Sequence, residues 1–352
     1  MNVLYLEHPV PDLLAAILYK GLCEEIGAEN VVDHPWKALY HGVTFDGEGS
    51  VHSPFPWLPP VDPAKVAGAW SDDAVADQIH TFDLVVLASP RVDNAAALQR
   101  ILDRVGRAAL RRFVIVDGED YTTVRWDLVE RFRPDVYFKL SMVPEPFEVY
   151  PDLKARLAPT TRVVPFPLAS PTEPLSPVAK EIDVAFLGGN YWRPARLRSE
   201  GVPWAGRPES EYKAGLDARL RREFSSYAGS VKEVPIAHGE FMSILNRSRA
   251  AVCVGGYGIE PMRTYEILSC WDTMLVRERI PVIAPHPLVE GTHCAMFDTK
   301  DGFDHDEVVR VIRHYLDHED ERQRVAAAGH ELLVEHYTPR VRAKQLLTEA
   351  FA

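Results

Sequence analysis

Apolar positions along the chain alternate between two periodicities. Short continuous apolar runs, Val3–Leu6, Phe82–Ala88, Phe113–Val116 and Asp135–Phe138, have the length and β-branched content of strands buried on both faces. Between them the spacing changes to that of helices. Leu13–Ile26 is one helix, and Ala95–Leu110 is another, with Leu98, Ile101, Leu102 and Val105 on one face and Arg100, Arg104 and Arg107 on the other. From Val143 to Val178 the pattern breaks on nine prolines: Pro144, Pro146, Pro151, Pro159, Pro165, Pro167, Pro171, Pro174 and Pro177. Neither a long helix nor a central strand survives that density, and its later part reads as a linker.

A second series then begins. Ile182–Leu187 and Ala250–Val254 read as buried strands, with Met274–Val276 and Pro281–Ala284 strand-like. Helices are expected over Glu211–Tyr227, Phe241–Arg247, Arg263–Cys270, Asp306–Leu316, Glu319–His336 and Pro339–Phe351. Strand and helix alternating in this way predicts α/β domains with parallel sheets. The 352 residues, at roughly 150 per domain, fit two of them. The expected division is an N-terminal Rossmann-like domain over 1–170, a C-terminal one over 171–338, and a terminal helix over 339–352. Open parallel sheets bind ligands beyond the carboxyl ends of their strands, so a cleft between the two domains is the expected site. The span Tyr40–Asp72, rich in Gly, Pro and aromatics, reads as an insertion or an active-site loop.

Charge narrows the classes. Thirty-nine Lys and Arg stand against 51 Asp and Glu, a formal charge of −12, which argues against a dedicated nucleic-acid binder but leaves a local basic face open. The sequence has no run of the roughly 18–20 apolar residues that span a membrane, and its first residues lack the basic-then-apolar pattern of a secretory signal. The four cysteines, Cys23, Cys253, Cys270 and Cys294, have neither ligand spacing nor a CxxC pair, so a reduced, cytoplasmic protein without a zinc site is expected.

The stretch that carries chemistry is Gly255-Gly256-Tyr257-Gly258, followed by Ile259-Glu260-Pro261-Met262-Arg263-Thr264-Tyr265-Glu266. A strand ends in glycines, which let backbone N–H groups approach a phosphate, and a helix begins near Arg263. Arg263 offers a permanent, bidentate cation for a diphosphate, and Glu266, one turn on, a carboxylate for two ribose hydroxyls. The competing reading is a tight turn with an exposed ion pair three residues apart.

Further residues add order to that stretch. Phe186-Leu187-Gly188-Gly189-Asn190-Tyr191-Trp192-Arg193 opens the half-chain, and Leu268-Ser269-Cys270 follows Glu266. His314-Tyr315-Leu316, Glu321-Arg322, Ala326 with Gly329, His336-Tyr337-Thr338 and Arg342-Ala343 close it. In this order, residues 180–348 resemble the donor domain of CgeB-like (spore-maturation-protein-type) glycosyltransferases of GT-B fold. The resemblance implies two Rossmann-like domains facing each other across a cleft, with the terminal helix packing back toward the first, an acceptor bound mainly by the first and a nucleotide-sugar donor, UDP-sugar above all, bound mainly by the second. It further implies that Glu266 binds the donor ribose, that Arg263, Thr264 and Gly256, Tyr257 and Gly258 lie by the diphosphate, and that Gly188, Gly189 and Arg193 face the cleft. The nucleobase would lie along Val234–Glu240, with Ile236 and His238. Two positions depart from the family: Gly258 stands where relatives often carry a second glutamate, with Glu260 nearby, and Trp271 replaces a small residue.

For a catalytic base the candidates are His8, just past the first strand, and Asp117 or Asp120 at the end of the third. Imidazole suits proton transfer near neutrality, and crowding with Glu119 would raise one carboxyl pKa. A solvated histidine, acceptor binding, or turn and cap roles are the alternatives. Asp304-His305-Asp306 looks like a metal-binding DxD but stands where a helix N-cap belongs, and the expected chemistry uses no metal and no cofactor beyond the donor. Arg100, Arg104, Arg107, Arg111 and Arg112 make a basic face, either solvated or turned to an anionic partner. Trp36, Trp57 and Trp70 with nearby aromatics would stack on a sugar or pack in a core. Beside a transferase, the sequence admits a non-catalytic nucleotide-sugar-binding homologue, a sugar-nucleotide epimerase, or a transferase that modifies DNA.

Overall fold

A computed structural model describes residues 1–8, 12–37, 70–144, 148–170, 173–187, 209–229, 237–255, 259–298 and 304–352. Two parallel sheets organise them. The first has six strands: β1 (Val3–Leu6), β2 (Val31–His34), β3 (Leu84–Ala88), β4 (Phe113–Asp117), β5 (Val136–Lys139) and β6 (Arg162–Pro165), in the order β2-β1-β3-β4-β5-β6. The second has five: β7 (Ile182–Phe186), β8 (Tyr227–Gly229), β9 (Ser248–Cys253), β10 (Met274–Glu278) and β11 (Ala295–Phe297), in the order β11-β10-β9-β7-β8. Both are doubly wound. The strand order reverses at β1/β3 in one and at β7/β9 in the other, and a crevice opens at the carboxyl end of such a reversal.

Most elements fall where the apolar pattern put them, for local reasons. Helix α1 (Leu13–Ile26) is capped by Asp12, whose side chain accepts from Ala15 N–H at 2.9 Å, and it ends at Gly27, whose φ of 89° suits glycine. Strands β3 and β4 are buried at every position, which is why they read as unbroken apolar runs. Helix α3 (Val92–Val105) buries Leu98 and Ile101 and turns its arginines outward. Three short helices of the first half carried little apolar signal: α2 (Asp72–Gln78), α4 (Trp126–Phe132) and α5 (Pro151–Leu157). The prolines are accommodated as expected. Pro151 is the first residue of α5, and β6, which ends on Pro165, is an edge strand.

The second half corrects two assignments. The helix expected over Glu211–Tyr227 stops earlier, as α6 (Glu209–Glu223), and Tyr227 opens the edge strand β8. Pro281–Ala284 is not a strand. Flanked by Pro281 and Pro285, this segment leaves the sheet, and Ile283 N–H donates instead to the Met142 carbonyl at 2.7 Å, across to the first half. The edge position goes to β11. The remaining helices are α7 (His238–Asn246), α8 (Arg263–Ser269), α9 (His305–Asp317), α10 (Glu319–His336) and α11 (Pro339–Phe351).

Among the described residues the halves meet in two places. At the carboxyl ends of the strands, Val143, after β5, packs with Ile259, Ile280 and Val282, after β9 and β10. On the opposite flank α11 lies along α1. A Cβ on Gly21 would sit 2.0 Å from the Pro339 carbonyl oxygen, so only glycine allows this approach. Arg340 pairs with Glu25 at 2.8 Å, Ser170 N–H donates to the Tyr337 carbonyl at 2.9 Å, and one apolar core runs continuously through both halves.

Candidate functional site

Strand β9 is buried at every position but Arg249 and delivers Gly255 at its carboxyl end, next to the β7/β9 reversal. There the Gly255 N–H donates to the buried carboxylate of Glu278, the last residue of β10, at 2.9 Å, so the neighbouring strand fixes where the glycine loop departs. The predicted Gly256, Tyr257 and Gly258 lie outside the described residues, as do Gly188, Gly189, Arg193 and Ile236. The chain is described again from Ile259, and α8 begins at Arg263.

Helix α8 is only seven residues long but almost wholly buried, so each side chain has a fixed direction. Thr264 is fully buried with its hydroxyl 3.6 Å from Cys253 Sγ, and fastens the helix to β9. Arg263 lies half-buried over the Phe241 ring of α7, 5.1 Å from its centroid, and its buried Nε has no hydrogen-bond partner. Glu266 is 7% exposed. Burial raises its carboxyl pKa, and the charge of Arg263 opposes the rise. Among the described residues no donor reaches that carboxylate. His238, at the start of α7, stacks against Phe241 with centroids 6.1 Å apart, and burial lowers its pKa. Arg263, Glu266, Phe241 and His238 are therefore brought together. An unpaired carboxylate and an unpaired guanidinium nitrogen side by side in a buried corner are costly to the folded protein, and a ligand with hydroxyls and negative charge relieves both.

The first sheet contributes His8 and Asp117 at its carboxyl edge. His8 is buried just past β1, at the β1/β3 reversal, with Nε2 3.1 Å from the Asp93 carboxylate at the start of α3. Asp93 escaped sequence reasoning because its partner lies 85 positions away. An acidic residue in a helix's first turn is ordinary there. Asp117 is fully engaged: it accepts from the Tyr137 hydroxyl at 2.5 Å and the Glu119 N–H at 3.0 Å, and pairs with Lys139 at 3.2 Å. Lys139, 0% exposed, also donates to the Glu119 carbonyl at 2.9 Å, which ties the turn after β4 to β5. Asp120 is half-buried in that same turn.

Other sequence candidates have structural uses. Asp304 caps α9, accepting from Asp306 N–H at 2.8 Å. The basic face of α3 and the residues after it is answered by acids: Arg100 by Asp72, Arg104 by Asp73 and Asp77, Arg107 by Asp135, Arg111 by Asp83. Trp70 packs on Phe82, with centroids 6.0 Å apart; Trp57 lies outside the described residues. The three buried cysteines and Cys23 have thiol pKa values raised by burial, so none is a reactive thiolate.

Solved structures of the same architecture exist. HepE of Anabaena, crystallised with UDP, superposes with a TM-score of 0.56 at 12% identity over 99% of each chain. The fold is GT-B. A glycosyltransferase from Rickettsia africae superposes at 0.56 with 8% identity over 99% of this chain and 97% of that one, and the trehalose-6-phosphate synthase OtsA at 0.55 with 10% identity over 100% and 99%. Residues 191–348 match a family described as glycosyl transferase-like. No curated protein matches the sequence. Among the described residues no helix is long and apolar enough to cross a membrane.

Proposed function

We propose that this GT-B protein is a glycosyltransferase that moves a sugar from a UDP-sugar to a hydroxyl acceptor in the cleft between the two sheets, without a metal ion. The observation that carries the reading is the pair Arg263 and Glu266 beyond the carboxyl end of β9: Glu266 is buried with no donor among the described residues, and the half-buried Arg263 keeps its Nε unpartnered. The ionised Glu266 accepts from both ribose hydroxyls, while Arg263 donates to the diphosphate and supports the negative charge that grows as the sugar leaves. A permanent cation supplies the charge for which other transferases recruit a divalent ion. His238 and the N-terminal end of α7 lie on the nucleobase side. UDP is the first choice of nucleotide because HepE, of the same fold, was crystallised with UDP and with UDP-glucose. The finer family assignment, CgeB-like, rests on the order of motifs from Gly188 to Ala343.

His8 is the proposed base. It takes the acceptor proton as the oxygen attacks the anomeric carbon, and Asp93 orients the ring and stabilises the imidazolium that forms. Asp117 is less suited, since its lone pairs are committed to Tyr137, Lys139 and the Glu119 amide. Thermal shift against UDP, GDP, dTDP and CDP tests the donor: one diphosphate stabilises in proportion to ln(1 + [L]/Kd), and Glu266→Ala weakens it on the order of 100-fold, the loss of charge-assisted hydrogen bonds. His8→Ala leaves that affinity intact and lowers kcat by about 10²–10⁴. Nucleotide-sugar binding with no turnover toward any acceptor replaces the transferase by a binding protein, and turnover without an acceptor by an epimerase.

A further inference from the structure

Strand β3 ends at Ala88, and the turn that leads from it into α3 runs against its own backbone preference. Ser89, buried at the first position after the strand, has a φ of 43°, in the left-handed region that a Cβ disfavours. Pro90, next in the chain, restricts the same residue toward extended conformations. Such a backbone persists only where its surroundings over-determine it. Here they do. Ser89 N–H donates to the Val116 carbonyl of β4 at 2.7 Å, and its hydroxyl donates to Asp12, the cap of α1, at 2.7 Å. Asn94, 0% exposed, spends both ends of its amide on the turn. Its oxygen accepts from Arg91 N–H at 2.7 Å, while its nitrogen donates to the Ala88 carbonyl at 2.8 Å and to that of Ser89 at 3.4 Å.

A helix start does not need this much. A side-chain oxygen at the third helical position satisfies the cap N–H, and the helix gains nothing from further bonds to the strand before it. The donations of Asn94 back to Ala88 and Ser89 fix the height and direction at which α3 leaves the sheet. What rides on them is Asp93, the residue before Asn94. Asp93 reaches His8 Nε2 at 3.1 Å, yet its side chain is 64% exposed, so packing does not hold its direction. A carboxylate standing mostly in water keeps a fixed aim through its backbone, and that backbone is tied by Ser89 and Asn94 to β3, β4 and α1. Strain at Ser89 is stored where the first sheet presents its histidine.

We propose that Ser89 and Asn94 are positioning residues of the transfer reaction: the turn they lock holds Asp93 on His8, and so holds the ring proton at Nε2 and the imidazole in place for the acceptor. The proposal rests on His8 as the base, given above, and adds the residues that aim it. Two readouts on the full chain test it. In histidine-15N-labelled protein at pH 8, where an imidazole is neutral, the His8 Nε2–H proton, assigned by its loss in His8→Ala, is held against exchange with water by Asp93. Hydrolysis of UDP-glucose, with water as the acceptor, gives kcat and KM. Ser89→Gly and Asn94→Ala lose the protected Nε2–H signal as Asp93→Ala does, and lower kcat on the order of tenfold to 100-fold with KM within about twofold. Glycine adopts this φ without strain, so Ser89→Gly guards against a folding defect peculiar to the buried Asn94→Ala. Adding Ser89→Gly to Asp93→Ala costs no further rate, because both act through one contact; a turn that serves stability alone multiplies the two losses. Variants that keep the wild-type signal or the wild-type rate, or losses that multiply, overturn the proposal. His8→Ala with undiminished kcat overturns the base reading and this proposal together, whereas a slow His8→Ala beside fast Ser89→Gly and Asn94→Ala overturns this proposal alone. The exchange readout needs no substrate and judges the aim of Asp93 whatever sugar nucleotide is the donor.

Discussion

The carboxyl ends of the two sheets treat their buried charges in opposite ways. At the first sheet the buried carboxylates are engaged: Asp117 pairs with Lys139, Glu7 with Lys37, and Asp33 accepts from the Lys37 backbone N–H at 2.7 Å. At the second, Glu266 has the charge of neighbouring Arg263 but no hydrogen bond from it, Glu260 keeps one oxygen unpaired, and Arg263 and Arg342 keep buried nitrogens unpaired. Both ends consist of polar side chains displayed by buried parallel strands, so exposure alone does not distinguish them. Completeness does. A buried charge that is fully paired holds loops in place, and one left short stores unfavourable energy that a ligand's complementary groups release.

That contrast is open to attack from its strongest side first. Removing the cation at the first sheet with Lys139→Met leaves Asp117 buried and uncompensated, and urea denaturation is expected to show a loss of about 3–5 kcal/mol. The second sheet should respond with the opposite sign. Burial raises the folded-state pKa of Glu266 above its unfolded value, so the native protein binds more protons than the unfolded chain and stability falls as pH rises through that window. Glu266→Gln therefore raises stability at pH 8, by roughly 0.5–2 kcal/mol. The advantage shrinks as the pH is lowered toward the unfolded carboxyl value, and UDP binding is lost throughout. A variant destabilised at pH 8 would mean that Glu266 is already paired in the free protein. The smallest effect belongs to the outer face of α3. Arg104→Ala breaks two exposed ion pairs, with Asp73 and Asp77, and is expected to cost under about 1 kcal/mol. Because neighbouring acids already answer this basic face, duplex DNA should show no salt-dependent binding to the protein.

How far the sequence could be read followed from how local each signal is. Helices α1, α10 and α11 lie at the expected residues, since caps such as Asp12 and Thr338 and the apolar spacing are contained within a few turns. Strands β2, β8 and β11, of three or four residues at or near sheet edges, gave no comparable signal. Pro281–Ala284 was misread because its apolar residues pack against Val143 of the other half rather than against a neighbouring strand. The site was legible in the same measure. Gly255, Arg263 and Glu266 form one continuous motif and come together in the structure. Asp93, Lys139 and Glu278 join His8, Asp117 and Gly255 only through strand order, so nothing near them in the chain announced a role. The arginines of α3 looked like a surface for an anionic partner because the aspartates that answer most of them come from α2 and from residues just before strands.

Sequence by itself determined the two α/β halves and marked the corner proposed for the ligand, because buried strands, glycine turns and helix starts are written in neighbouring residues. Only the tertiary structure decided which charges are satisfied. Whether a carboxylate is a brace or an open receptor depends on the cation the fold brings within a few ångströms, and that cation comes from a different strand.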